Sequence, residues 1–178
     1  FVSANLTITA KPITVTAVAD SKIYGADDPV FTYSAPGLAF GETVLSGVLT
    51  RDTTKQNVGS YPILEGTIKT ANPNYLITFV SANLTITAKP ITVTADAKTK
   101  VEGTADPVFT YTTIGLNTAD GLTGALTRDA GEAVGTYAIR LGSLSAGNNY
   151  NITFISANLR ITAAKGNCGG GNGVDGDT

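Results

Sequence analysis

The chain is 178 residues long, with 14 acidic and 12 basic side chains, a net charge of −2, no His, no Met, no Trp and one Cys. The absence of imidazole excludes His-based nucleophilic catalysis and His-ligated metals, and a single thiol cannot close a disulfide within the chain. With 15% charged residues and no basic excess there is no field to hold a phosphate backbone, so nucleic acid is not an expected partner. No apolar run approaches the roughly 20 residues of a membrane-spanning helix.

In chain order, residues 1–17 read FVSANLTITAKPITVTA, and the same seventeen residues return without change at 79–95. A third, shorter version, FISANLRITA, occupies 154–163. The chain is therefore a tandem array of one unit repeated every 75–78 residues (79 minus 1, 154 minus 79). Residues 1–10 read as the closing strand of a preceding repeat. Lys11-Pro12 and Lys89-Pro90 mark the junctions, because Pro donates no ladder hydrogen bond and sits well at the first position of a strand. This predicts one domain at 11–88, a second at 89–164 and a Gly-rich flexible tail at 165–178, which has too few apolar groups to offset its ordering entropy.

Within each unit the dominant period is two. In Leu84-Thr85-Ile86-Thr87-Ala88 and Ile91-Thr92-Val93-Thr94-Ala95, the alternation directs Leu84, Ile86, Ile91 and Val93 inward and the threonines toward solvent. Similar runs fall at 31–34, 44–50, 61–65 and 75–80, and their equivalents at 108–112, 122–127, 136–141 and 150–155, divided by Asp-Pro, Asn-Val-Gly and Asn-Pro-Asn turn signals. No stretch carries a helical period. The pattern predicts an all-β chain of tandem, small, antiparallel β-sandwich (Ig-like) domains. With almost no linker at the junctions, it also predicts a linear, semi-rigid rod.

Asp28-Pro29-Val30-Phe31-Thr32-Tyr33 recurs at 106–111, and Gly47, Leu49-Thr50-Arg51-Asp52 recur as Gly124, Leu126-Thr127-Arg128-Asp129. Together with Val134-Gly135-Thr136-Tyr137-Ala138-Ile139 and Asn148-Asn149-Tyr150-Asn151-Ile152-Thr153-Phe154, this set resembles the MBG repeat in its YGX form. Tyr24-Gly25 matches the element that names the form; the second copy carries Val101-Glu102-Gly103 instead. The resemblance implies a stalk or adhesive repeat of a large bacterial surface or secreted protein, and it supplies no catalytic residue.

Several groups of side chains are candidate sites. The Thr-x-Thr pairs (Thr7/Thr9, Thr14/Thr16, Thr85/Thr87, Thr92/Thr94, Thr110/Thr112) offer a flat array for ice or polysaccharide, yet Thr also suits the solvent face of any strand. Asp20, Asp27, Asp28, Asp96, Glu102 and Asp106 are carboxylates available to Ca²⁺ at a junction; only Asp28 recurs, as Asp106, and an Asp before Pro is commonly a turn residue. Lys11 and Lys89 are candidates for an isopeptide bond, though that chemistry needs a desolvated amine. Phe31/Phe109, Tyr33/Tyr111, Tyr61/Tyr137, Tyr75/Tyr150 and Phe79/Phe154 recur as strand and core residues or as a sugar platform. In the tail, Gly170-Gly171-Asn172-Gly173-Val174-Asp175 has the start of a β-roll calcium repeat without its following apolar residue, and Cys168 is a free thiol open to cross-linking.

The expected function is thus a non-catalytic spacer with no resident cofactor. Its partners would be adjacent repeats, or other copies through exchange of strand 1–10. A carbohydrate- or ice-binding module stands as a further alternative.

Overall fold

The computed structural model describes residues 2–38 and 44–165; the tail at 166–178, with Cys168, lies outside the described residues. All regular structure among the described residues is β, and no helix there is long and apolar enough to cross a membrane. The chain divides into two compact units, Phe1–Pro90 with Gly147–Asn151, and Ile91–Ala146 with Ile152–Thr178.

The first repeat runs β1 (Lys11–Ala17), β2 (Asp20–Ile23), β3 (Tyr33–Ser34), β4 (Leu45–Ser46), β5 (Gly59–Pro62), β6 (Lys69–Thr70), β7 (Tyr75–Val80) and β8 (Asn83–Thr87). One sheet has the order β3-β1-β7 and another β2-β8-β5, with β4-β6 as a small accessory pair. Val15 and Ala17 from the first sheet meet Leu84 and Ile86 from the second in one core with Leu49, Ile63 and Ile68, flanked by Phe31, Tyr33, Tyr61 and Phe79. This is a sandwich, built as the alternation requires: Ile13, Val15, Leu84 and Ile86 are buried, while Thr85 and Thr87 are exposed.

The expectation of purely antiparallel sheets is corrected. The β1–β3 and β5–β8 ladders are antiparallel. However, β1 pairs with β7 in parallel from Lys11↔Tyr75 to Thr16↔Val80, and β2 pairs with β8 in parallel from Asp20↔Leu84 to Ile23↔Thr87. Only Val18-Ala19 separates β1 from β2, and only Ser81-Ala82 separates β7 from β8. Each is in effect one long strand kinked at the same level, so the opening and closing strands travel side by side and change sheet together. The residues between β2 and β7 provide the crossover that parallel pairing needs.

The second repeat repeats the plan with β9 (Lys89–Ala95), β10 (Lys98–Val101), β11 (Tyr111–Ile114), β12 (Thr127–Arg128), β13 (Gly135–Arg140), β14 (Tyr150–Ile155) and β15 (Asn158–Thr162). β9 lies between β11 and β14, and β15 lies between β10, to which it is parallel, and β13, to which it is antiparallel. Ile91, Val93, Leu126, Ile139, Leu144, Leu159 and Ile161 form its buried interior.

Three further differences from the sequence pattern stand out. β2 and β10 were not foreseen, because the inward residue of each is a lysine, Lys22 or Lys100, which a hydrophobic period does not register. The strands expected at 31–34 and 108–112 pair only from Tyr33 and Tyr111 onward, and that expected at 122–127 reduces to a Thr123↔Ser145 bridge ahead of β12. Residues 2–10 form no strand and are exposed throughout, although the same sequence at 79–88 supplies the end of β7 and all of β8.

Candidate functional site

The chemistry-bearing side chains that the fold gathers form an ion cluster built the same way in each repeat. In the first, alternation along β2 turns Lys22 inward, and Arg51, just after the Thr50↔Leu64 bridge, faces the same interior edge. Asp28, in the irregular segment ahead of Pro29, lies between them. The Arg51 side chain is 0% exposed, and all five of its N–H groups are used. Nε and Nη2 grip the two Asp28 oxygens at 2.7 and 2.6 Å, Nη1 donates to the Asp52 and Lys55 carbonyls at 2.8 and 2.5 Å, and Nη2 also donates to Gln56 Oε1 at 3.0 Å. Lys22 Nζ donates to Asp28 Oδ1 at 2.7 Å, the Ala26 carbonyl at 2.9 Å and Gln56 Oε1 at 3.0 Å. Both cations are therefore fully satisfied, as burial demands.

In the second repeat, Arg128 Nε and Nη2 hold Asp106 at 2.6 and 3.1 Å, Nη1 reaches the Asp129 and Gly131 carbonyls, and Lys100 Nζ lies 2.6 Å from Asp106 Oδ1. Glu132 stands where the first repeat has Gln56, and it pairs with both Lys100 and Arg128. The guanidinium also sits 5.5 Å from the centre of the Tyr137 ring, a cation–π distance. The Arg51 contact, followed by Lys22, holds the Asp28 carboxyl below the usual range; Arg128 and then Lys100 hold Asp106 down at about 2. Asp106 and then Glu132 push Lys100 up. Asp28, Asp106 and Lys100 are thus each held in the ionised form, as suits a clamp. The cluster pins the loops at 24–28 and 52–56, or 106 and 129–132, to the strand edge.

The residues weighed from sequence fall elsewhere or take on other work. Asp28 and its counterpart Asp106 lie in irregular segments just past the turns at 24–25 and 102–103, and each binds two cations, a role the sequence reading missed. The signal was available in the recurrence of Lys22, Asp28 and Arg51 as Lys100, Asp106 and Arg128 in a chain with few charges. Asp96 accepts from Thr110 Oγ1 at 2.5 Å and Asp20 accepts from the Ser21 amide at 2.7 Å. Among the described residues no three or more Asp, Glu, Cys or His side chains are gathered as a metal site would need. Lys11 is exposed, with Nζ on the Gly37 carbonyl at 2.6 Å, and Lys89 is half-buried. Neither is the desolvated amine that an isopeptide bond requires. Thr7, Thr9, Thr85, Thr87, Thr110 and Thr112 are exposed and Thr92 and Thr94 half-buried, with Thr14↔Thr78 and Thr94↔Thr112 as cross-strand pairs. Phe31, Tyr33, Tyr61 and Phe79 pack on the first core rather than forming a platform.

A doubled small β-sandwich, each copy closed by parallel terminal strands and locked by one ion cluster, defines a tandem structural repeat. The model of the MBG domain (YGX type) matches residues 13–85 and again 91–160, and the chain belongs to that family. No curated protein and no solved structure shows a significant match to this chain.

Proposed function

We propose that this chain is a load-bearing, non-catalytic spacer of an extracellular bacterial surface or secreted protein, whose repeats hold a binding region away from its base. One observation carries the reading: the strands at the two ends of each repeat run parallel and adjacent. Tension along the chain pulls the start of β1 and the end of β8 in opposite directions, so the β1–β7 and β2–β8 ladders are loaded in shear. Their hydrogen bonds then resist together and do not open one by one. The family membership, the tandem duplication and the saturated ion clusters support the same reading, since repeats in series add length without adding an assembled catalytic site.

Force spectroscopy on the chain held at its termini tests this. The expected record has two unfolding events, each releasing about 250 Å of contour, from roughly 75 residues at ~3.4 Å each. A featureless extension would contradict it.

A further inference from the structure

The chain carries three versions of one strand. In Ser81-Ala82-Asn83-Leu84-Thr85-Ile86-Thr87, Ser81 Oγ donates to the Ile63 carbonyl at 2.7 Å, Leu84 and Ile86 enter the core at 0% and 1% exposure, and Thr87 Oγ1 donates to the Lys22 carbonyl at 3.2 Å. In Ser156-Ala157-Asn158-Leu159-Arg160-Ile161-Thr162 the same positions do the same: Ser156 on the Ile139 carbonyl at 2.7 Å, Leu159 and Ile161 buried, Thr162 on the Lys100 carbonyl at 3.2 Å. The position that differs, Thr85 against Arg160, faces outward in both. Ser3-Ala4-Asn5-Leu6-Thr7-Ile8-Thr9 is identical to the first of these, yet it lies in no ladder, with Leu6 88% and Ile8 82% exposed.

We infer that residues 3–9 are a closing strand for another repeat of this same fold, and that they enter the slot between its β2-type and β5-type strands. The binding mode is written in the molecule: parallel to β2 in the register Asp20↔Leu84, antiparallel to β5 in the register Tyr61↔Leu84, with the two apolar side chains inward. The partner is a repeat whose slot is open. Both slots in this chain hold a covalently attached strand, whose effective concentration far exceeds that of a strand on a second molecule. The chain by itself is therefore a monomer despite its free strand.

The test places a second copy of residues 11–78 directly ahead of Phe1, which reproduces the sequence found inside this chain at 11–95 because residues 1–17 repeat 79–95. Amide hydrogen exchange at Leu6 and Ile8 should slow to the level of Leu84 and Ile86, and Leu6→Asp with Ile8→Asp should abolish that protection without changing it at Leu84. Free exchange at Leu6 and Ile8 in the extended chain would overturn the inference. So would a concentration-dependent dimer of the unextended chain, seen by sedimentation equilibrium and lost in the double variant, because it would show exchange into an occupied slot.

Discussion

Arg51 is tightly constrained, because a guanidinium with no solvent contact survives only if each N–H finds an acceptor. Asp28→Asn removes the countercharge and turns one of the two acceptor oxygens into an amide donor, so it weakens both the charge pairing and the bidentate grip on Arg51. With Asp28 itself partly exposed, the expected loss is about 1–3 kcal/mol, read by urea denaturation. Gln56→Glu should act in the other direction. It gives the first repeat the second anion that Glu132 provides in the second, and its denaturation midpoint should rise. pH dependence follows from the same group of acids. Asp106 titrates at about 2 when folded and Asp28 is likewise lowered, whereas an unfolded Asp titrates near ~3.9. Between these values the unfolded chain binds more protons, so the stabilisation is complete above the unfolded value and is lost as pH falls through the folded one. Thermal midpoints followed by circular dichroism should be level from neutral pH to about 5 and fall most steeply between about 4 and 2. Asp106→Asn should flatten part of that fall. The recurrence of these residues was legible in the sequence. Their pairing was not, since Asp28 and Arg51 stand 23 positions apart and Lys22 hides on a strand with no hydrophobic signature.

At the scale of the element, identical sequence has two fates. Leu84→Ala should cost about 2–5 kcal/mol by opening a cavity in the core, while Leu6→Ala in the same ten-residue context should leave the denaturation midpoint unchanged. Gly47 and its counterpart Gly124 show why glycine is required where the chain crosses itself. Gly47 has φ +99° and a Cβ there would meet the Thr67 carbonyl oxygen at 2.1 Å; Gly124 has φ +86° and would meet that of Ser143 at 2.2 Å. Gly47→Ala should destabilise the first repeat by about 1–3 kcal/mol, combining strain with displaced backbone. Two-residue alternation announced which strands exist and which face is buried, because that information is local. The parallel pairing of β1 with β7 was hidden, since β-propensity and turn residues record no direction of approach between strands some 60 positions apart.

For the whole molecule, the duplicated block read as a repeat junction, and the family match at 13–85 and 91–160 agrees that the unit is doubled. What the sequence could not convey is how a repeat meets force, because that depends on the relative direction of its first and last strands. The central claim, that each repeat is loaded in shear through its own ends, is tested by changing the pulling axis in a Cys168→Ser background. With handles at Lys11→Cys and Ala88→Cys, the first repeat is stretched as the chain would stretch it. With handles at Lys11→Cys and Asn74→Cys, beside the Lys11↔Tyr75 pair, the same ladder is opened from one end. The unfolding force should be several times higher along the first axis than the second; equal forces, or a weaker end-to-end axis, would contradict the account.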